Sequence, residues 1–445
     1  MPTVPPVRRV FSPLDEELKL LSGAFTPSLV ESIVRLGTWM PFVPVTKGVA
    51  YFCKVNLSEP TARRKTEEAG QAYVEIQTAQ VAALERDECA PPAGPPLQQI
   101  SVDGAMVPLL HKEWGEVKTL VIGVVGPPVR RKEEWHVHAE QLSYFSRMTD
   151  HETFARLATV ETHRRGTETA GTVCAVNDGA EWEQKFVDYQ RPDAVRVLDW
   201  GHGAEHVSAV GRAVFGRDTP AEQSWRVEQL RALKHDDPPT LIEELQRLRT
   251  TLVTGEQQGR EAAALSAVEA NLEYFTKRQE QIRYAAFAQA GYPIGSGAVE
   301  SGNKLVVEAR LKGAGMHWAP EHVNPMVALR TVACSDTWEE AWPQIVGRLR
   351  QRTKERAERR RTAPPEATAT SGPVRNPITL PPQPQSTPQP ERPVGLLPAE
   401  RTATDGAKTE PTPPTTGPRK PAADHPWRHQ PIGNARYRDR RLLAC

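Results

Sequence analysis

The sequence predicts an α/β protein. One mixed sheet carries an all-helical insertion before its closing helix and is preceded by an all-α region. Three observations lead there. Hydrophobic periodicity is helical up to residue 86, becomes extended after the Pro/Gly linker Ala90–Pro96, and returns to helical from residue 203. The 445 residues leave room for more than one domain, and 38% hydrophobic with 25% charged residues suits a protein with a real core. The extended region runs strand, strand, strand, helix, strand, helix, strand, the order of a ribonuclease-H-like domain.

The region 1–89 is irregular at first, with a short amphipathic piece from Leu14 to Leu21. From Pro27, Leu29, Ile33, Val34, Leu36 and Trp39 recur at helical spacing. A second helix is expected over Val45–Val55, and Ser58 is a good N-cap for a third through Arg63, Arg64 and Lys65. Helix, short turn, then a helix with small and basic residues at its start is a helix-turn-helix pattern. Arg63, Arg64 and Lys65 are therefore candidates to meet DNA phosphates; a helical hairpin in a bundle reads the same way. A long helix over residues 66–86 follows.

Within 97–202, strands are expected at Gln98–Leu109, Glu116–Val125, Leu142–Arg147, Thr172–Asn177 and Ala194–Leu198. Helices are expected at Asp150–Arg165 and Trp182–Tyr189. The block 203–290 reads as helices at 204–214, 220–234, 239–253 and 258–288. Closing helices of the core fill 291–361. From 362 to 445 the chain is Pro-rich, with 18 of the 41 prolines after residue 360, and ends in a basic, aromatic stretch; a disordered tail is expected.

Net charge is +1, so any nucleic-acid surface must be local. Five cysteines form no CxxC pair, which argues for a reducing compartment and against a zinc site. With no 18-residue apolar run and no signal peptide, a soluble cytoplasmic protein without a membrane partner is expected.

Three acids stand where an α/β sheet places its ligand sites: Asp103 in the first strand, Asp178 at the end of the fourth, and Glu300 opening a helix after the loop Gly295-Ser296-Gly297. Val299, Leu305, Val306 and Leu311 supply much of the apolar side of that helix, which is expected to run about five turns to Gly313. Gathered carboxylates repel one another, and divalent cations relieve the repulsion. Mg²⁺ takes a few carboxylates and leaves its other positions to water and phosphate. Lys304, Arg310 and Lys312 follow Glu300 and are candidate phosphate contacts. Plainer readings exist for each: Asp-Gly turns at 103–104 and 178–179, and a Glu300–Lys304 surface pair. Glu308 is the rival third acid. Asp199 and His202 form a further polar cluster that could tune the site, supply the second acid, or simply satisfy a loop, and His206 reads as structural.

Several blocks resemble a known family: FSPLDEELKLL (11–21), SVDGAMVPL (101–109), EVKTLVIG (116–123), LSYFSR (142–147), VNDGAEW (176–182), VLDWGHGAEHV (197–207), GYPIGSGAVESGNKLVVEARLKGAGMHW (291–318) and HPWRHQPIG (425–433). Together they look like a DDE transposase of a bacterial insertion sequence, of the ISKra type. The resemblance implies metal-dependent DNA cleavage and strand transfer at element ends. Asp103, Asp178 and Glu300 would hold two Mg²⁺, with Mn²⁺ substituting. It further implies double-stranded DNA as partner and a homo-oligomer on that DNA. Related transposases carry Cys or Asp, two residues, then His after the second catalytic acid. Asp199–His202 fits that pattern, leaving Asp178 as the second acid and Asp199 as the alternative. Relatives often have a cysteine-rich segment ahead of the FPLDE-type block, whereas Met1–Val10 has no cysteine. Either this copy lacks that module or its start lies upstream.

Overall fold

A computed structural model of the chain describes residues 21, 25–86, 90–131, 134–236, 238–254 and 259–362. The chain divides into two units, Met1–Thr368 and Ala369–Cys445, and every described residue belongs to the first. The expectations for 14–20 and for the tail beyond 362 lie outside the described residues.

Three helices open the described chain: α1 (Pro27–Trp39), α2 (Phe42–Cys53) and α3 (Glu59–Leu84). The third helix and the long helix expected after it are one 26-residue element, because nothing between Lys65 and Thr66 breaks the helical pattern. Ser58 stands at the N-cap, but its hydroxyl lies 2.9 Å from Thr61 Oγ1 and does not cap the backbone. Val30, Val34, Ala69 and Ala72 share a core with Leu329, Val332, Trp338 and Trp342 from the far end of the chain. In space, therefore, the N-terminal helices belong with the closing helices.

The sheet has the order β5-β2-β1-β6-β7, built from β1 (Leu97–Pro108), β2 (Trp114–Val125), β5 (Ala139–Arg147), β6 (Thr172–Asn177) and β7 (Val195–Leu198). Between β2 and β5 lies a small hairpin of β3 (Val129–Arg131) and β4 (Glu134–His136), which the periodicity did not reveal because each strand has three residues. Strands β1, β2 and β5 are antiparallel, whereas β1, β6 and β7 are mutually parallel. The strand period of two sends Ile100 and Val102 to one face, where Leu120, Ile122 and Phe145 meet Phe154 and Phe186. Phe154 and Phe186 belong to α4 (His151–Arg164) and α5 (Glu181–Gln190). Ala105 and Val107 go to the other face, against Val299, Val306, Val307 and Leu311.

The insertion comprises α6 (Trp200–Phe215), α7 (Pro220–His235), α8 (Pro238–Thr254), α9 (Gly259–Lys277) and α10 (Tyr284–Gln289). Its core joins Val176, Val197 and Leu198 of the sheet edge to Trp225, Leu245, Val268, Phe275 and Tyr284. The single long helix expected over 258–288 is broken at Arg278. A 3₁₀ turn follows over Gln279–Gln281, burying Ile282 and bringing Gln281 Nε2 to 3.1 Å from Gln184 Oε1 on α5.

The closing helix is a run of three pieces, α11 (Gly297–Gly302), a π-helical segment (Asn303–Glu308) and α12 (Ala309–Leu311); α13 (Pro320–Cys334) and α14 (Trp338–Thr362) come after it. It ends at Leu311, short of Gly313. A π turn takes more residues than an α turn, so the apolar phase shifts. Val307 joins Val299, Val306 and Leu311 in the core, whereas Leu305, expected to be buried, is exposed.

Candidate functional site: a carboxylate cluster at the ends of the parallel strands

Strand register brings the candidate acids level. Ile100 lies opposite Ala175, an offset of 175 − 100 = 75, and 178 − 103 is also 75. Asn177 lies opposite Leu198, an offset of 198 − 177 = 21, and 199 − 178 is also 21. Asp103, Asp178 and Asp199 therefore occupy the same level on three neighbouring parallel strands. The level of the first two is fixed by Asn177 Oδ1, which accepts from Val102 N at 2.7 Å.

Asp103 is partly enclosed. Its Oδ1 accepts from Gly104 N at 2.6 Å, and its Oδ2 accepts from Asn303 Nδ2 at 2.7 Å. Burial raises its pKa above the usual carboxylate value; the two hydrogen bonds oppose that, while the charges of Glu300 and Glu116 add to it. Asn303 opens the π segment, so the closing helix is tied to β1 three residues after Glu300.

Asp178 is pushed up to about 6, first by burial and then by the negative charges of Asp199, Asp103 and Glu300. It sits at a turn held by the insertion. Tyr274 Oη donates to Asp178 O at 2.9 Å, and Arg278 Nη2 donates to Gly179 O at 2.6 Å while stacking on Tyr274 at 4.0 Å. Gly179 has φ +83°, and a Cβ there would lie 2.8 Å from Arg278 Nε and 3.0 Å from Tyr274 Oη. Glycine is thus required both by backbone conformation and by space.

Asp199 is buried and already engaged. Its Oδ2 caps α6 by accepting from His202 N at 2.7 Å, and its Oδ1 accepts from Ser296 N at 2.5 Å. Trp200 N also donates to Ile294 O at 2.9 Å. Of the readings open for Asp199, the satisfied loop acid matches this geometry, and its work is to dock the Gly295-Ser296-Gly297 loop on the end of β7. Asp199 is also buried, whereas the Asp178 side chain is 43% exposed, so Asp178 is the more accessible of the two acids.

His202 Nδ1 lies 4.0 Å from Asp178 Oδ2, and its Nε2 lies 3.2 Å from His206 Nε2. Asn271 Nδ2 donates to Ala267 O at 2.7 Å, so its Oδ1 accepts from His206 Nδ1, also at 2.7 Å. A neutral His206 then offers its Nε2 lone pair to His202 Nε2–H. His206 stacks on Tyr274 at 3.9 Å, and burial holds its imidazole below the usual range. It is a structural support, as expected, and what it supports is the orientation of His202.

Glu300 is near enough for its charge to raise both Asp103 and Asp178. Its side chain is nonetheless 58% exposed, and its Oε2 lies 3.9 Å from Lys304 Nζ, itself 67% exposed. The surface pair and the acid cluster thus coexist. Among the described residues no three His, Cys, Asp or Glu side chains stand close enough together to hold one metal ion as they are. Glu308 forms a 2.7 Å ion pair with Lys312, so the rival acid and one candidate phosphate contact neutralise each other.

Two candidate phosphate contacts are corrected. Arg310 is buried: its Nε donates to Gly37 O at 3.0 Å, its guanidinium faces the Phe42 and Trp318 rings, and burial pushes it down to about 10. Lys65 is buried too, 3.6 Å from Glu68 Oε2 and facing the Phe25 ring. Helical phase explains both, because Lys65 lies on the face of α3 that carries Ala62 and Ala69 inward, and Arg310 follows buried Val306 and Val307 by four and three residues. Arg63 and Arg64 remain exposed on α3.

Motif reading missed Asn303, Glu183, Tyr274 and Arg278. Asn303 was visible three residues after Glu300, but only the fold shows that it reaches Asp103. Glu183 Oε2 accepts from Ala180 N at 3.0 Å, and its carboxyl is pushed up to about 8 by burial and then by Asp178. No model of a known protein family matches the sequence, and no curated protein matches it.

Proposed function

We propose that this protein is a DDE-type transposase, a cation-dependent enzyme that cuts DNA at the ends of an insertion sequence and joins them to target DNA. One observation carries the reading: Asp103, Asp178 and Glu300, from β1, the end of β6 and the closing helix, share one electrostatic neighbourhood that holds Asp178 up to about 6. The strand order and the helical insertion ahead of the Glu300 helix agree with the ribonuclease-H-like arrangement that the transposase-like sequence blocks imply.

The donor set fits Mg²⁺ or Mn²⁺, since it consists of hard carboxylate oxygens whose mutual repulsion a divalent cation relieves. Asp103, Asp178 and Glu300 would hold it; when bound, such ions activate an attacking oxygen and stabilise the leaving one. The chain's own residues do the positioning. Asn303 orients Asp103 and links it to the Glu300 helix. Asp199 docks the loop before that helix, and His202 Nδ1 faces Asp178 Oδ2 at 4.0 Å. Lys304, exposed beside Glu300, would meet a phosphate.

The test uses the full chain with DNA that carries the genomic sequences flanking its gene on both sides. Mg²⁺-dependent nicking and joining are expected for wild type, with a loss of at least about 100-fold for Asp103→Ala or Asp178→Ala. A thermal shift gives a readout without activity: Mg²⁺ should raise the melting temperature of wild type more than that of Asp178→Asn. Normal cutting by Asp103→Ala would sink the assignment. Cutting without joining would instead make the protein a nuclease. The exposure of Glu300 and its pairing with Lys304 favour a second reading, a DNA-binding regulator without chemistry, which predicts binding that persists without metal and no cleavage under any condition.

A further inference from the structure

The tip of the helical hairpin α2–α3 carries the two most exposed large hydrophobic side chains among the described residues. Tyr51 is 70% exposed and Phe52 75% exposed, at the C-terminal end of α2, with ring centroids 5.0 Å apart and planes nearly perpendicular. The helix stops at Lys54, which takes left-handed backbone angles (φ 58°, ψ 27°) without being glycine, and whose ammonium lies 5.2 Å from the Tyr51 ring.

Charge around this tip is one-sided. Between Lys47 and Arg64 the exposed charges are four cations (Lys47, Lys54, Arg63, Arg64) and one acid (Glu59), a difference of 4 − 1 = +3, whereas the whole chain carries +1. Lys47 precedes Tyr51 by one helical turn, and Lys47, Lys54, Arg63 and Arg64 are all exposed. Arg63 has only a 4.0 Å approach to Glu67. An apolar partner surface would meet these cations at a desolvation cost, whereas a nucleic acid supplies phosphates for them and aromatic faces for the rings.

We infer that Tyr51 and Phe52 form a wedge that stacks on bases of bound DNA, with Lys47, Lys54, Arg63 and Arg64 holding the flanking phosphates. The inference rests on the DNA-binding side of the proposed function and adds a base-stacking element to it. Such a wedge favours a DNA step that is already unstacked, since opening a stacked one costs energy. The phosphates give affinity that falls with salt, whereas the rings give affinity that does not.

The test measures binding of full-length protein to a fluorescent duplex and to the same duplex with one unpaired bulge, across a salt series. Three forms are compared: wild type, Tyr51→Ala/Phe52→Ala, and Arg63→Ala/Arg64→Ala. Wild type should prefer the bulged duplex. The aromatic variant should lose that preference and bind about tenfold or more weakly with the same salt slope. The arginine variant should lose about two units of slope and keep the preference. Because both rings are exposed, melting temperatures should match wild type. Equal binding by the aromatic variant, with the arginine variant weakened, overturns the wedge and leaves the DNA-binding reading standing. Absence of binding by wild type to either duplex overturns both. A change in oligomeric state with unchanged DNA binding overturns the wedge in favour of a contact between copies of the chain.

Discussion

Glu183 shows how a side chain outside the cluster of Asp103, Asp178 and Glu300 can report on it. Buried on α5 and facing the field of Asp178, it holds a carboxyl pKa of about 8 against the ordinary 4.5. The unfolded chain releases this proton near pH 4.5 and the folded one near pH 8. Between those values the native state binds more protons, so stability falls as pH rises through that window. Glu183→Gln should melt like wild type below pH 4 and higher than wild type above pH 8, by on the order of a few kcal/mol. A melting curve without that divergence would remove the buried, field-raised carboxyl. Asp178 acts in the same direction between 3.8 and about 6, but its partly exposed side chain makes the effect smaller.

At the scale of elements, the π segment in the closing helix needs an outside partner, because an irregular turn frees backbone carbonyls. Arg330 of α13 supplies it. Fully buried, it donates to Leu305 O and Val306 O in that segment, and to Thr38 O at the end of α1 at 3.2 Å. Arg310 donates to the neighbouring Gly37 O. The two arginines thus tie the last carbonyls of α1, where a helix is electronegative, to the helix that bears Glu300. Arg330→Met should cost about 3 kcal/mol by removing three hydrogen bonds from a buried guanidinium to backbone carbonyls. Arg330→Lys should recover little, since one ammonium lacks the planar fork that reaches all three. Denaturant titration decides this, and a Lys variant as stable as wild type would mean the fork is not needed.

On the scale of the whole molecule, the insertion helps shape the acid cluster. Tyr274 and Arg278 at the α9 end hold the carbonyls of Asp178 and Gly179, so the backbone beneath Asp178 depends on packing about 100 residues further along the chain. Tyr274→Phe removes one such hydrogen bond and should cost about 1 kcal/mol in stability. The proposed DNA cleavage should fall by more than that loss of folded protein explains. A variant with unchanged cleavage would confine the insertion to a structural role.

The sheet, its helices and the level of Asp103 with Asp178 could be read from the chain because each rests on local rules. The alternation of β1, the apolar run of β2, and the 75-residue spacing matching the observed register are all linear properties. The fate of individual polar residues was not legible in this way. Arg310 and Lys65 carry the same charges as Arg63, yet helical phase and distant neighbours bury them. Leu305 is apolar yet exposed, because the π segment resets a phase that the sequence presents as continuous. Asp199 and Asp178 both follow a strand, and only the docking of the Ser296 loop sets one to binding backbone amides while the other stays available. Composition and periodicity by themselves determined the longer strands and helices, since burial of apolar surface follows a repeat, but not the three-residue strands β3 and β4 or the break at Arg278. Tertiary structure alone decided which charged groups meet one another and which meet backbone. The physical reason is that a charge is stabilised by whatever lies within a few ångströms, and those neighbours come from residues far away along the chain.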